Sequence, residues 1–217
     1  VKFRAILFDV DGTLLNTLED LANSMNEVLR GQGFPVHDKD AYRYFVGDGV
    51  RNLALRALPE DKRDDATVDR TVSGMHQEYG KRWAETTRPY YGVPKMMNWL
   101  EEHGVKKAIL SNKDDGFTAR MISRFLPHWK FADIRGARDN VPLKPDPAAA
   151  LEIAHCMEME PGQFLYVGDS ATDMRTAVAA GMYPVGASWG FRTIEELKEA
   201  GAQAILKKPV DIGKQIL

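Results

Sequence analysis

Cysteine is almost missing from this chain. Of 217 residues only Cys156 is a cysteine, so no intrachain disulfide can form and a disulfide-stapled secreted scaffold is excluded. Cys156 sits in a run with helical spacing, 148–159, without a base nearby in sequence, and is read as an ordinary helix residue. Long apolar runs are missing as well. The first, Phe3 to Val10, is broken by Arg4 and Asp9 and is too short for a signal peptide or a membrane span. The expectation is a cytoplasmic protein with no membrane partner. Positive charge is not in excess: 29 Lys and Arg face 31 Asp and Glu, so no basic surface offers itself to nucleic acid. The histidines, His37, His76, His103, His128 and His155, show no metal-ligand spacing. Internal repeats and low-complexity tracts are absent too.

What is present is an alternation of two kinds of segment. Arg4 to Phe8 reads as a buried strand ending at polar Asp9 and Asp11. The next comparable strand, Lys107 to Leu110, follows only after a long stretch of helical pattern. From there the rhythm is regular. Helices are expected near 114–125, 147–157, 172–180 and 194–200, and strands near 131–135, 164–167, 183–187 and 204–206. Such alternation predicts an α/β fold with a parallel sheet covered on both faces, and a ligand crevice at the carboxyl ends of the strands. The intervening stretch breaks at 31–35, at Gly47 to Gly49 and at Pro59. Leu18, Leu21, Ala22, Met25, Val28 and Leu29 share one face of its first helix. The expected division is a core of 1–15 and 84–217 with a helical cap, 16–83, inserted as a lid.

Four polar clusters carry the chemistry. In Asp9-Val10-Asp11-Gly12-Thr13, two carboxylates two residues apart need either a cation between them or a proton on one. Both conditions suit phosphoryl transfer, with one acid attacking phosphorus and the other serving the leaving oxygen and then water. Gly12 lets the backbone turn tightly beside a phosphate. Ser111-Asn112-Lys113 ends the second strand, where a hydroxyl and the next backbone N–H can donate to phosphate oxygens. In Leu143-Lys144-Pro145-Asp146-Pro147 a lysine held before two prolines can neutralise a trianionic transition state. Gly168-Asp169-Ser170-Ala171-Thr172-Asp173 follows another apolar strand and spaces two acids at i, i+4. Hard oxygen ligands without histidine favour Mg²⁺. Each cluster alone also fits a polar turn, a loop lysine or a helix cap.

Taken together and in this order, the clusters resemble the four motifs of the haloacid dehalogenase superfamily, over nearly the whole chain. The resemblance implies a Rossmann-like core with a first-type helical cap. It makes Asp9 the nucleophile and a magnesium ligand, and Asp11 the acid/base with its backbone carbonyl on the metal. Gly12, Ser111, Asn112 through its backbone, and Lys144 would grip phosphate. Asp169 would hold the metal, and Asp173 would ligate it directly or through water. An acid at Asp11 argues against a carbon–halogen substrate, since the dehalogenases of the superfamily lack one there. Asn16 departs from the aspartate often found before the cap.

The segment from Tyr44 to Asn52 resembles the cap loop of phosphoglycolate phosphatases, and Gly47, Gly49 and Arg51 are its candidate specificity residues. An arginine fork there suits a substrate carboxylate. The expected activity is a Mg²⁺-dependent phosphomonoesterase acting on a small phosphorylated metabolite, foremost 2-phosphoglycolate, as a monomer or homodimer. Alternatives are a hexose-phosphate mutase of the β-phosphoglucomutase kind, a pyrophosphatase on the same core and, remotely, a phospho-acceptor signalling module.

Overall fold

A computed structural model describes residues 3–216. The chain divides into two compact units, one running to Leu15 and resuming at Pro89, the other comprising Asn16–Arg88.

The first unit is built on a six-stranded parallel sheet in the order β5-β4-β1-β6-β7-β8. The strands are β1 (Ala5–Phe8), β4 (Lys106–Asp114), β5 (Asp133–Ala137), β6 (Phe164–Gly168), β7 (Tyr183–Ala187) and β8 (Ala204–Leu206). Every residue of β1 and β6 is buried, as expected of central parallel strands whose two faces are both covered, and this is why they read as unbroken apolar runs. Between the strands run α5 (Val93–Glu102), α6 (Asp115–Phe125), α7 (Ala148–Cys156), α8 (Ala171–Ala179) and α9 (Ile194–Glu199), and α10 (Gly213–Ile216) follows β8. Ala5, Leu7, Ala108, Leu110 and Tyr166 pack on one face against Ala150 and Ile153 of α7 and Ala177 of α8. The small alanines let these helices approach the sheet closely.

β1 lies between β4 and β6, so the chain leaves the centre of the sheet in one direction and later returns on the other side. That reversal opens a crevice at the carboxyl ends of the three strands. Two strands of this sheet differ from the sequence reading. β4 continues through Ser111, Asn112 and Lys113 to Asp114, with a register shift after Leu110. The polar residues stay inside the strand because their side chains find buried partners. β5 starts at Asp133, slightly later than expected.

The second unit contains α1 (Leu18–Gly31), α2 (Tyr42–Phe45), α3 (Val50–Ala57) and α4 (Asp65–Arg82). The apolar face foreseen on α1 is buried from Leu18 to Leu29. Tyr42 is fully buried and its hydroxyl donates to Asn26 Oδ1 at 2.6 Å, as an aromatic with a polar tip requires. Asp64 caps α4 by accepting from Thr67 N–H at 3.0 Å. The unit runs on to Arg88 because of buried Asp20. Its carboxylate accepts from the backbone N–H and hydroxyl of both Thr86 and Thr87, at 2.6 to 3.1 Å. A short strand pair, β2 (Leu15–Asn16) with β3 (Arg88–Pro89), marks where the chain crosses between units. Among the described residues no helix is long and apolar enough to cross a membrane.

Candidate active site

The four clusters converge at one edge of the sheet. Asp9 leaves the end of β1 with its N–H donating to Val167 O on β6 at 3.0 Å, and its side chain is buried. Lys144 reaches it from the loop before α7. Its ammonium donates to Asp9 Oδ1 at 2.8 Å, to Asp173 Oδ1 at 2.6 Å and to Leu110 O at 3.2 Å. A lysine only 5% exposed is uncommon and requires such partners. Its backbone is fixed by the Asn112 side chain, which donates to Lys144 O at 3.0 Å and accepts from Lys144 N–H at 2.9 Å. The amide of Asn112 thus positions the lysine, a role its sequence context did not reveal.

Asp169 follows β6 directly. Thr13 Oγ1 donates to its Oδ1 at 3.1 Å, and Phe191 N–H donates to Oδ2 at 2.7 Å. Gly12 and Gly190 press on the same carboxylate: a Cβ at Gly12, where φ is +89°, would lie 2.2 Å from Asp169 Oδ2, and one at Gly190 2.2 Å from Asp169 Cβ. Asp173 sits at the start of α8, where its Oδ2 accepts from Ser170 N–H at 3.1 Å and Ser170 Oγ at 2.6 Å, while Ser170 Oγ caps the helix. Capping and placement of the acid are one arrangement. Tyr166 adds a longer hydroxyl contact to Asp173 Oδ1 at 3.4 Å.

Asp9, Asp169 and Asp173 each bring a carboxylate oxygen within 4.8 Å of the others, and all three are buried. Burial pushes the Asp9 carboxyl well above its usual range; Lys144 opposes this, while Asp173, Asp169 and Asp11 add to it. Burial, then Asp173, raises Asp169 to about 7, against the pull of the Phe191 N–H, the Thr13 hydroxyl and Arg192. Burial works against the Lys144 ammonium, but Asp173 and Asp9 overcome it and hold its pKa above the ordinary lysine value. Three buried acids around one ammonium are short of positive charge, and an all-oxygen donor set fits a hard divalent cation. The cluster can therefore hold a metal ion.

Asp11 is not one of that trio of carboxylates. Its Oδ2 lies 3.2 Å from Lys113 Nζ. Ser111 is buried on β4, and its Oγ accepts from Lys113 N–H at 3.2 Å. Asp9, Asp11, Gly12, Ser111, Asn112, Lys144, Asp169 and Asp173 therefore gather at the carboxyl ends of β4, β1 and β6. The remaining candidates belong to the helical unit. Gly47 and Gly49 take φ of 124° and 88°, which favour glycine. Arg51 forms ion pairs with Asp65, at 2.6 Å, and with Asp69. Both partners lie on α4, so its fork is committed within its own unit. Asn16 is exposed on β2.

Sequence reasoning included Thr13 and Lys113 in its clusters without giving them a role, and it missed Tyr166 and the turn Trp189-Gly190-Phe191 as parts of the site. The turn follows β7 at the same sheet edge, and Trp189 Nε1 donates to Thr13 O at 2.9 Å. The strand-end rule that found Asp169, carried one strand further, would have found it.

This fold and site define a class, and the sequence comparisons agree: the chain belongs to the haloacid dehalogenase-like hydrolase family, whose model matches residues 6–187. Its relatives are more particular. It is 33% identical over 192 residues to the phosphoglycolate phosphatase of Pseudomonas putida, covering 87% of this chain and 70% of that protein. It is 30% identical over 201 residues to the phosphoglycolate phosphatase of Psychrobacter arcticus, covering 89% and 87%. Among solved structures, a candidate phosphoglycolate phosphatase from Lactobacillus delbrueckii superposes with a TM-score of 0.93 at 25% identity, over 100% of this chain and 99% of that one.

Proposed function

We propose that this chain is a Mg²⁺-dependent phosphomonoesterase that works through a phosphorylated Asp9 and acts foremost on 2-phosphoglycolate. The observation that carries this reading is the buried Lys144 ammonium bonded to both Asp9 and Asp173, with Asp169 in the same cluster. The relatives' activity supports the choice of substrate.

In the first step an Asp9 carboxylate oxygen bonds to phosphorus as the bond to the ester oxygen breaks, and the Asp11 carboxyl gives its proton to that departing oxygen. In the second, water attacks the phosphoaspartate and passes a proton to the Asp11 carboxylate. The bond from phosphorus to Asp9 then breaks and inorganic phosphate leaves. Ser111, the Asn112 backbone N–H and Lys144 bind the phosphoryl oxygens and keep them oriented toward Asp9. Asp9, Asp169 and Asp173, with the Asp11 carbonyl, would hold Mg²⁺, which when bound supplies charge neutralisation to the phosphate beside Asp9. The helical insertion is assigned the selection of substrate.

The test is hydrolysis of phosphoglycolate, pyrophosphate, phosphoserine and glucose 1-phosphate with and without Mg²⁺, for the wild type and Asp9→Asn. Phosphoglycolate is expected to give the highest kcat/KM, and Asp9→Asn to lose about 10⁴-fold or more, as removal of a nucleophile does. Activity retained in Asp9→Asn would overturn the mechanism. Isomerised sugar phosphate in place of released phosphate would turn the reading to a mutase.

A further inference from the structure

We propose that Lys113 is a positioning residue that turns the Asp11 carboxyl toward the departing oxygen of the ester. The inference rests on the phosphomonoesterase reading above and adds to it a residue to which the sequence motifs gave no task.

Asp9 and Asp11 stand two residues apart, yet the structure gives them different cations. Lys144 bonds Asp9 and Asp173, whereas Lys113 Nζ lies 3.2 Å from Asp11 Oδ2, with side chains only 9% and 12% exposed. Two like charges so close would otherwise compete for one ammonium. Separate partners pull them apart: one carboxylate stays in the cluster with Asp169 and Asp173, and the other is held outside it.

The lysine itself is anchored. Its N–H donates to Ser111 Oγ at 3.2 Å, and its carbonyl accepts from Thr118 Oγ1 at 3.3 Å. Gly136 on β5 comes so close that a Cβ there would lie 2.5 Å from Lys113 O. A backbone held from three sides presents the ammonium from a defined place, and the extension of β4 past Ser111 puts it there. A carboxyl has a broad, two-fold torsion about its last bond. A partly buried charge-assisted contact selects one setting of that torsion. Lys113 thus acts through Asp11, and its effect is confined to the two steps in which Asp11 moves a proton, of which only the first involves the departing oxygen.

That confinement gives the test. kcat/KM reports events up to departure of the alcohol and is blind to hydrolysis of the phosphoenzyme. A leaving group such as 4-nitrophenolate departs without a proton, whereas an alkoxide such as that of phosphoglycolate needs one. For Lys113→Met, kcat/KM is expected to fall about 10- to 100-fold for alkyl phosphates, as when proton transfer is impaired. Phenyl phosphate should lose less and 4-nitrophenyl phosphate least. Lys113→Arg, which keeps the charge, should restore much of the loss on alkyl esters. Lys113→Gln, uncharged but polar, is measured in parallel and carries the test if the Met variant does not fold. An equal loss across the leaving-group series would overturn the proposal. So would a rise in KM confined to carboxylated esters, which would make Lys113 a substrate anchor. Either result leaves the phosphatase reading standing, because that depends on the wild type and Asp9→Asn.

Discussion

Asp169 owes its orientation to neighbours that have no side chain. Gly12 and Gly190 flank it so closely that a methyl group at either would collide with the carboxylate, leaving the Thr13 hydroxyl and the Phe191 N–H to set its angle. Gly190→Ala is therefore expected to push Asp169 out of the cluster with Asp9 and Asp173. Titration calorimetry with Mg²⁺ should show affinity lowered about 10- to 100-fold, the usual cost of disturbing groups that orient a metal ligand. Unchanged affinity would mean that the turn yields freely. At this scale the sequence was legible wherever a polar residue ended an apolar run, as at Asp9, Ser111 and Asp169. Lys144 was legible only in combination with the others, because a lone loop lysine is normally solvated. Gly190 and Lys113 were not, because a close approach and a side-chain direction depend on strands brought together from distant parts of the chain.

At the scale of elements, the helical unit is closed by one carboxylate. Asp20, buried in the first turn of α1, gathers four donors from Thr86 and Thr87 and so ties the returning segment to the first helix. Asp20→Ala would strand those donors away from water. The expected loss is about 2–4 kcal/mol of unfolding free energy, read from denaturant unfolding. Asp20→Asn, of the same shape, should lose less, and equal stability of all three proteins would remove the clasp. Helical periodicity revealed α1 and its apolar face, and the strand–helix rhythm revealed β6, β7 and β8 nearly to the residue. The far end of β4 escaped, since Ser111 to Asp114 looks like loop until the Asn112 amide is seen paired with the Lys144 backbone. The pair β2 and β3 escaped because strands of two residues carry no period.

For the whole molecule, the acidic cluster links stability to pH and to metal. Burial raises the folded Asp169 carboxyl from 3.8 to about 7, so between those values the folded state binds more protons than the unfolded one. Its contribution is then fully present below the lower value and is lost as pH rises through the upper. Asp9 shifts in the same direction. A divalent cation binds the ionised form, so its stabilising effect should grow over the same window. The rise in Tm on adding Mg²⁺ in place of EDTA is expected to be larger near about pH 8 than near about pH 5. Equal rises would show that the cation binds elsewhere.

The position of β1 has a further consequence for how the chain is made. Ala5 aligns with Lys106 on one side and Phe164 on the other, so β1 is synthesised well before either strand that flanks it. Until both neighbours are synthesised, four apolar residues with open backbone groups must be kept from other chains. The helices of Asn16–Arg88 pair within a short span of sequence and can form while β1 waits. Assembly of the sheet therefore waits on later synthesis, and Asp9 at the end of β1 stays without Lys144 until the chain has been made at least that far.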